Sequence, residues 1–278
     1  MKIDNLVNRS KEEIIEVFNN SFADYLVPLQ LNAEQFDLKC KTDQVDLNYS
    51  LGIEDKGRLV GFILNGLDDI NGKGVLYNAG TGVIPEYRGM GIVKQLYNYL
   101  IPKLSNIDYL SLEVITDNIP AIKAYEKVGF DIYRHLHCYK GSLPLLNTVP
   151  EVNILVSDNY DWDLFKSFWD WDPSWSNSIS ALNRLKSSNI LIVAQHGQKV
   201  IAYLVYNPLT KRIQQFAVDK TQRNKGMGSA LLAYLAEHYD KQVGIINVDA
   251  RYDESNEFLK KKGFEKYISQ YEMVMPLL

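Results

Sequence analysis

The chain has 278 residues, of which 46% are hydrophobic and 23% are charged, a composition typical of a soluble globular protein. The length predicts two domains. The net charge of −4 argues against a nucleic-acid-binding protein, because contacts to phosphates need a basic surface.

Targeting and redox signals are sparse. The N-terminal residues do not show the charged start and apolar segment of a signal peptide, and no apolar run approaches the roughly 20 residues that span a bilayer. Cys40 and Cys138 are the two cysteines, and their spacing does not suggest a metal site. We therefore expect a cytoplasmic protein with reduced thiols, no metal and no membrane partner.

The first half of the chain predicts alternating helices and strands. Ser10 and Glu13 have the spacing of a capping box before an amphipathic helix, and Lys56-Gly57 forms a turn before an apolar strand. Gly129 is a typical residue for the end of a helix. The patterns predict helices over residues 10–22, 92–104 and 119–128, and strands over residues 59–64, 75–83 and 109–115.

The second half repeats this order. Its patterns predict strands over residues 190–195, 200–206, 213–218 and 243–248, and helices over residues 229–239 and 254–262. Successive strands followed by helix, strand and helix predict an α/β fold with a mixed sheet in each half.

Two pairs of landmarks show that the halves are copies of one another. Arg88 and Arg223 lie in similar Arg/Gly-rich segments, and Gly129 and Gly263 lie in similar Gly-Phe segments. The interval along the chain is nearly the same for both pairs. Such a constant offset indicates duplication of a whole domain. Prolines between Leu143 and Val152 predict a linker, which gives domains over residues 1–143 and 152–278.

Each half contains a glycine-rich loop between a strand and a helix. The first turn of a helix presents unpaired N–H groups, and glycine allows an anion to approach the backbone closely. The two loops, 88–93 and 223–229, therefore predict a site for phosphate or diphosphate. A tight turn that uses glycine for geometry alone is the alternative. Neither loop matches the nucleotide P-loop or the three-glycine dinucleotide motif.

The loops and the segments that follow them resemble the GNAT superfamily of acetyltransferases. The resemblance rests on the Arg-x-x-Gly-x-Gly loop, on a later helix ending in Gly-Phe, and on Asn118, Ala121 and Tyr125 in the first half. It covers nearly the whole chain as two family domains. It implies acetyl-coenzyme A as cosubstrate, with its diphosphate held by the loop amides.

The resemblance also implies which residues contact the cofactor. They are Gly82, Val83, Arg88, Gly89, Met90, Gly91, Ile92, Val93 and Asn118 in the first half, and Ala217, Val218, Arg223, Asn224, Lys225, Gly226, Met227, Gly228 and Ser229 in the second half. In the family a bulge splays the strand before the loop, and Gly80 and Gly82 would fit such a distortion.

Two catalytic roles follow from the same resemblance. Tyr125 corresponds to the general acid that protonates the departing thiolate, since the pKa of tyrosine lies above that of a thiol. Glu113 lies where some relatives have a base that accepts a proton from the attacking amine. Packing on an amphipathic helix is the alternative for Tyr125, and a salt bridge is the alternative for Glu113.

The halves depart from the family pattern in different ways. Val93 occupies a loop position where glycine or alanine is usual, and we expect it to weaken cofactor binding in the first half. In the second half Leu259 replaces Tyr125, and Tyr252 replaces Asn118. Leucine cannot donate a proton, which leaves Tyr267 or Tyr271 as possible substitutes. The sequence therefore favours the first half as the transferring domain.

The predicted function is N-acetyl transfer from acetyl-coenzyme A to a primary amine, in a monomer or a homodimer. A non-catalytic acyl-coenzyme A sensor and a scaffold are the alternatives. All four tryptophans lie among aspartates between Asp161 and Trp175, and they could wall an acceptor site or simply pack against the sheet. His135 and His137 alternate along one predicted strand, which suits a sheet face better than a ligand pair.

Overall fold

The computed structural model describes residues 1–25, 29–143 and 152–277. The first part of the chain forms, in order, β1 (Lys2–Asn5), α1 (Lys11–Ser21), α2 (Ala33–Asp43), β2 (Leu51–Asp55), β3 (Arg58–Ile70), β4 (Lys73–Val83), α3 (Ile92–Leu100), β5 (Tyr109–Ile115), α4 (Ile119–Glu126) and β6 (Asp131–Ser142). The second part forms β7 (Asn153–Ser157), α5 (Trp162–Phe168), α6 (Ile179–Arg184), β8 (Ile190–His196), β9 (Lys199–Asn207), β10 (Arg212–Val218), α7 (Met227–His238), β11 (Gln242–Asp249), α8 (Asp253–Lys261) and β12 (Phe264–Pro276).

The described residues divide into two compact units. The first unit contains those of Met1–Tyr133 together with residues 271–277, and the second contains those of Arg134–Gln270. The last strand of each sequence repeat thus contributes to the other unit. The domain limits predicted from the sequence, residues 1–143 and 152–278, follow the two copies of the repeat. As domain limits they stay a prediction. The predicted linker lies largely in residues 144–151, outside the described residues.

In the first unit, the strand order is β1-β2-β3-β4-β5-β12. The parallel pairing of β4 with β5 runs only from Val75 opposite Tyr109 to Asn78 opposite Leu112. Ala79 is an extra residue in the pairing of β4 with β3, because Asn78 and Gly80 face consecutive residues of β3. This β-bulge bends β4, and residues 79–83 diverge from β5.

The second unit repeats this geometry. Its strand order is β6-β11-β10-β9-β8-β7, with residues 264–270 of β12 beside β6. The parallel pairing of β10 with β11 covers only Arg212 opposite Gly244 and Ile213 opposite Ile245. A bulge at Gln214 follows directly, at the repeat position that corresponds to the bulge at Ala79. The duplication therefore preserves the divergence of the two central strands.

Helices cover both faces of the second sheet. On one face α7 contributes Leu231 and Leu235 to a core that includes Tyr206 of β9. On the other face Phe165 and Phe168 of α5 pack with Tyr203 of β9 in a second core. Burial of these apolar faces supplies the main stabilisation of the unit.

The elements predicted from sequence are confirmed, with shifts of a few residues at most of their ends; β3 is the exception, because it runs to Ile70 and not to the predicted residue 64. Ser10 and Glu13 form the predicted capping box at α1. The helix predicted over residues 92–104 is α-helical only to Leu100, and a 3₁₀ turn at Ile101–Lys103 follows because Pro102 cannot donate an α-helical hydrogen bond. The sequence patterns missed several elements, among them β1, α2, β2, β7 and α6.

Candidate functional site

The gap between β10 and β11 opens into a cavity of about 440 Å³ in the second unit. Its lining comes from β10, β11, the loop before α7, the segment after α5, and α8. Of the second-half residues predicted to bind a cofactor, the lining includes Ala217, Val218, Arg223, Asn224, Gly226, Met227, Gly228 and Ser229. Lys225 is the predicted residue outside it. The structure thus brings these residues together around one cavity.

The loop before α7 has the backbone geometry of an anion site. Asn224 and Gly226 both have positive φ angles, of 60° and 86°. Gly226 is the N-cap residue of α7 and, having no side chain, leaves the amides of the first helical turn uncovered. Left-handed residues within such a turn gather N–H groups into a concave anion site, and the helix dipole adds positive potential.

The side chains of Arg223 and Lys225 are directed at the protein. Arg223 donates hydrogen bonds to the carbonyl oxygens of Phe168 and Val218 at 2.9 and 3.3 Å, and it forms an ion pair with Asp170. Lys225 donates to the carbonyl oxygen of Thr221 at 3.0 Å. Arg223 therefore holds the loop against the end of α5, and the anion site consists of backbone amides.

A chain of hydrogen bonds closes the end of the cavity beside α5. The indole N–H of Trp169 donates to Tyr203 Oη at 2.6 Å, and Tyr203 Oη donates to Gln215 Oε1 at 2.7 Å. Gln215 Nε2 then donates to the carbonyl oxygen of Asn177 at 2.6 Å. Asn177 Nδ2 donates across the gap to the carbonyl oxygen of Ile246 on β11 at 3.1 Å. Asn177 thus connects both diverging strands.

The wall formed by α8 and the end of β10 contains a cluster of apolar side chains. Leu259 and Phe258 of α8 line it together with Phe216 of β10. A Cβ atom at Gly228 would lie 3.0 and 3.1 Å from the rings of Phe216 and Phe258, so glycine allows both rings to pack against the start of α7. Tyr252 is the N-cap residue of α8, at the position that the sequence comparison gave it.

The loop of the first unit has nearly the same backbone. Gly89 and Gly91 have φ angles of 78° and 69°, and Gly91 is the N-cap residue of α3. Arg88 forms an ion pair with Asp24 at 2.7 Å and donates to the carbonyl oxygens of Ser21 and Val83. As in the second unit, the arginine positions the loop and the backbone amides remain for an anion.

Other predicted cofactor residues of the first unit lie around this loop and the divergent strand. Met90 is exposed, Ile92 is buried, and Val93 is half-buried at the start of α3. Gly82 is required by packing, since a Cβ atom there would lie 2.5 Å from the ring of Phe62. The bulge itself lies at Ala79, next to Gly80, so Gly82 serves packing rather than the distortion.

Tyr125 is buried against the divergent part of β4. Its hydroxyl lies near the side chains of Thr81 and Asn78, whose polar groups favour its ionised form, and Asn78 Nδ2 donates to Thr81 Oγ1 and to Tyr97 Oη. Burial raises the pKa of Tyr125 to about 12, which keeps its hydroxyl protonated at neutral pH. Asn118 caps α4 by accepting a hydrogen bond from the N–H of Ala121.

Glu113 lies on β5 beside Tyr77 of β4. Tyr77 Oη donates a hydrogen bond to Glu113 Oε2 at 3.0 Å. Burial and the charge of Glu113 raise the pKa of Tyr77 well above its ordinary value, so this tyrosine remains a donor. The first unit therefore places a carboxylate on the strand that diverges from β4.

The tryptophan-rich segment serves two purposes. Trp169 and Trp171 line the cavity, whereas Trp175 is buried and the indole of Trp162 donates to Asn183 Oδ1. Two of its aspartates have structural partners, because Asp170 pairs with Arg223 and Asp161 caps α5.

The remaining sequence candidates lie elsewhere. His135 and His137 lie on β6 with ring centroids 4.9 Å apart, and His137 contacts Ser269 Oγ at 3.1 Å. Tyr267 is 43% exposed beneath the ammonium group of Lys140 and does not line the cavity, and Tyr271 belongs to the first unit.

Sequence reasoning missed Tyr203, Gln215 and Asn177. No short motif contains them, and they meet only because the register of β9 and β10 puts Tyr203 opposite Ala217. Within residues 1–25, 29–143 and 152–277, no group of three or more His, Cys, Asp or Glu side chains could hold a metal ion. Nor does any helix there have the length and hydrophobicity that crossing a membrane requires.

Comparison with known proteins gives the same repeated unit. A model of the acetyltransferase (GNAT) family matches residues 12–130 and again residues 156–264, together well over half of the chain. The catalytic subunit NAA20 of the N-terminal acetyltransferase B complex of Arabidopsis thaliana is 36% identical over 91 residues. That match covers 30% of this chain and 51% of the relative, so the chain spans about half of that relative's length.

Solved structures support the fold. A tandem GNAT protein from the clavulanic acid biosynthesis pathway has a TM-score of 0.68 at 14% identity, with 99% of this chain and 98% of that chain covered. An acetyltransferase described as putative from Pyrococcus horikoshii has a TM-score of 0.71 at 13% identity, with 100% and 89% covered. At such identities the likeness concerns the fold alone.

Proposed function

Because this chain belongs to the acetyltransferase (GNAT) family, we propose that it transfers an acetyl group from acetyl-coenzyme A to a primary amine. The observation that carries the proposal is the opening between β10 and β11, whose cavity is continuous with the amide-lined start of α7. A cofactor with a diphosphate and a long neutral arm fits such an arrangement, because the helix start binds the anion and the divergent strand offers backbone groups to the arm.

Both loops are proposed to hold the diphosphate of coenzyme A through their backbone amides. The residues around Gly91 supply them in the first unit, and those around Gly226 in the second. The side chains of Arg88 and Arg223 maintain the loop conformation through their carbonyl contacts. When bound, acetyl-coenzyme A supplies a thioester that an amine can attack.

The first unit has the residues that fit the transfer itself. The nitrogen of the neutral amine forms a bond with the acetyl carbon, and the bond between carbon and sulfur breaks. Glu113 accepts the proton that the amine releases, directly or through water, and Tyr125 gives its hydroxyl proton to the departing sulfur. The backbone N–H groups near Gly82 and Val83 stabilise negative charge on the carbonyl oxygen.

A calorimetric titration of acetyl-coenzyme A tests the proposal with two matched variants. Lys94 and Ser229 are the third residues of α3 and α7, so Lys94→Glu and Ser229→Glu introduce a carboxylate at the same place in each unit. A carboxylate in the first turn is favourable for the helix and repels a diphosphate. We expect each variant to lose one binding site and the double variant to lose both.

The double variant decides the outcome. Unchanged affinity and stoichiometry in Lys94→Glu/Ser229→Glu, with an unchanged melting temperature, would contradict cofactor binding at these loops. Loss of binding in Ser229→Glu alone would assign the cofactor to the second unit and remove Tyr125 from the reaction.

Leu259 favours a second candidate function for the second unit, that of an acyl-coenzyme A-binding sensor. It lines the cavity at the place of Tyr125, and it cannot protonate a thiolate. Binding without release of free thiol in a Tyr125→Phe variant, across a panel of amines, would support this role for the second unit.

A further inference from the structure

The duplicated strands β4 and β10 carry their polar side chains on opposite faces. On the face towards α3 and α4, the first unit has Asn78 and Thr81, whereas the corresponding residues of β10 are Ile213 and Phe216. The bulges at Ala79 and Gln214 fix this correspondence.

The pattern is reversed on the other face of each strand. Gly80 of β4 corresponds to Gln215 of β10, and each follows directly after its bulge. Phe62 lies opposite Gly82 in the first unit, and Tyr203 lies opposite Ala217 in the second. β10 therefore has no hydroxyl or amide side chain at these two positions of the face towards α7 and α8, and it has an amide, Gln215, on its other face.

The consequence on the side of α7 and α8 is that three hydrogen-bonding side chains of the first unit are replaced by apolar ones. Ile213, Phe216 and Leu259 line the cavity where the first unit has Asn78, Thr81 and Tyr125. Such a wall favours apolar groups, because a polar group placed against it loses hydrogen bonds to water and gains none.

At the end of the cavity beside α5, the polar side chains bond to other protein groups. Trp169, Tyr203 and Gln215 each donate to another protein group, so this chain of hydrogen bonds is closed within the protein. Asp170, which lies just after α5 and lines the cavity, pairs with Arg223 at 3.0 Å. Aromatic surface from Phe168 and Trp171 completes this end of the cavity.

From these two walls, we propose that the second unit binds a coenzyme A thioester whose acyl group is larger and more apolar than acetyl. The acyl group occupies the part of the cavity between Phe216, Leu259 and the aromatic end beside α5. The inference rests on the proposed function only in that the loop at Gly226 holds coenzyme A.

Calorimetric titrations with coenzyme A, acetyl-coenzyme A and hexanoyl-coenzyme A test the proposal. In the Lys94→Glu variant, which leaves the second unit intact, we expect hexanoyl-coenzyme A to bind at least about tenfold more tightly than acetyl-coenzyme A, because each buried methylene group adds favourable transfer free energy. In Ser229→Glu this preference should disappear. Equal or tighter binding of acetyl-coenzyme A in Lys94→Glu would overturn the proposal.

Substitutions that install first-unit residues give a second measurement. Phe216→Thr/Leu259→Tyr reproduces the Thr81 and Tyr125 pair and should reduce the preference for hexanoyl-coenzyme A to less than about threefold, because the wall gains hydroxyl groups. Phe216→Leu keeps the wall apolar and should retain the preference. Binding of coenzyme A itself reports whether each variant is folded.

The outcomes separate this proposal from the proposed function. If neither Lys94→Glu nor Ser229→Glu binds any of the three compounds, both the proposed function and the inference about the acyl group are wrong. If Lys94→Glu binds coenzyme A but does not distinguish the acyl groups, only the inference about the acyl group is wrong. An unchanged preference in Phe216→Thr/Leu259→Tyr would likewise contradict the assignment of the acyl group to this wall.

Discussion

Arg88 and Arg223 make the same contacts in the two units although they belong to different copies of the sequence repeat. Each donates through Nε to the carbonyl oxygen of the residue five positions earlier, at 3.2 Å for Arg88 and 3.3 Å for Arg223. Each also donates through Nη2 to a carbonyl oxygen near the end of a helix and pairs with an aspartate shortly after it. The repetition of these contacts within the chain points to a positioning role for the arginine.

Replacement of Arg223 should therefore affect both stability and cofactor affinity. In Arg223→Ala the carbonyl groups of Phe168 and Val218 lose a charged donor, and we expect a loss of roughly 1–3 kcal/mol in the free energy of unfolding. Arg88→Ala should cost less, because its side chain is more exposed, 42% against 28%. Urea denaturation measures the stability, and calorimetry measures the affinity for coenzyme A. Loss of affinity without loss of stability would point instead to direct contact with the phosphates.

Two glycines of β4 offer a matched pair for a packing test. A Cβ atom at Gly82 would lie 2.5 Å from the ring of Phe62 and 2.6 Å from Ser21, whereas at Gly80 the nearest atom lies at 3.7 Å. Gly82→Ala should therefore lower the free energy of unfolding by about 1–3 kcal/mol, and Gly80→Ala should change it little. Chemical denaturation of both variants gives the comparison. Similar stabilities would show that Phe62 moves aside without cost.

Local sequence predicted what depends on short-range geometry. The loops at Gly91 and Gly226 and the capping of α4 by Asn118 could be anticipated, because a helix start leaves its own amides unpaired. The predicted diphosphate contacts of Arg88 and Arg223 cannot come from their side chains as these lie in the structure, since both guanidinium groups face carbonyl oxygens and aspartates.

Longer-range features could not be predicted in this way. Tyr203, Gln215 and Asn177 meet because of the register between β9 and β10 and the bulge at Gln214, neither of which has a motif in the sequence. Most of β6 and the end of β12 each belong to the unit formed mainly by the other sequence repeat. This arrangement depends on which strands pair, and hydrophobic alternation along a strand does not specify its partner.

Asp249 should make the second unit sensitive to acid. Burial raises the pKa of this carboxyl group, but hydrogen bonds from Arg251 and the charge of Arg134 outweigh that effect and hold the pKa below its ordinary value. A lowered pKa contributes stability above the pKa of the unfolded state, and that contribution is lost as the pH falls through the folded value. We expect the urea concentration at the midpoint of unfolding to decrease when the pH is lowered below about 4.

The variant Asp249→Asn provides the comparison for this pH dependence. It removes the negative charge that faces the buried Arg134 and the guanidinium group of Arg251, and it should lose roughly 3–5 kcal/mol at pH 7, with a flatter stability profile between pH 5 and pH 3. A wild-type profile that does not change over this range would contradict the assigned role of Asp249.

Asn177 should control the width of the gap between β10 and β11. Asn177→Ala removes the donor to the carbonyl oxygen of Ile246 and leaves that group without this bond. We expect Asn177→Ala, made together with Lys94→Glu, to lower the affinity for coenzyme A about tenfold. This factor corresponds to the free energy that one hydrogen bond contributes. Asn183→Ala, which removes the acceptor for the indole of Trp162 outside the cavity, serves as the control. Equal losses in both variants would show a general effect on folding.

Tyr125 is the residue on which the proposed transfer chemistry depends most. Tyr125→Phe keeps the ring that packs edge-on against Phe130, at a centroid distance of 5.9 Å, and removes only the hydroxyl group. With the best acceptor from a panel of primary amines, we expect kcat for thiol release to fall about 10²-fold, while KM for acetyl-coenzyme A remains within about twofold.

The pH dependence gives a second criterion for Tyr125. With its pKa raised to about 12 by burial, the hydroxyl stays protonated, so kcat of the wild type should show no loss from this group up to pH 10. A decline centred between pH 8 and pH 10 that Tyr125→Phe abolishes would mean that its pKa is far lower. An unchanged kcat in Tyr125→Phe would return this tyrosine to a purely structural role, with its hydroxyl serving only Thr81 and Asn78.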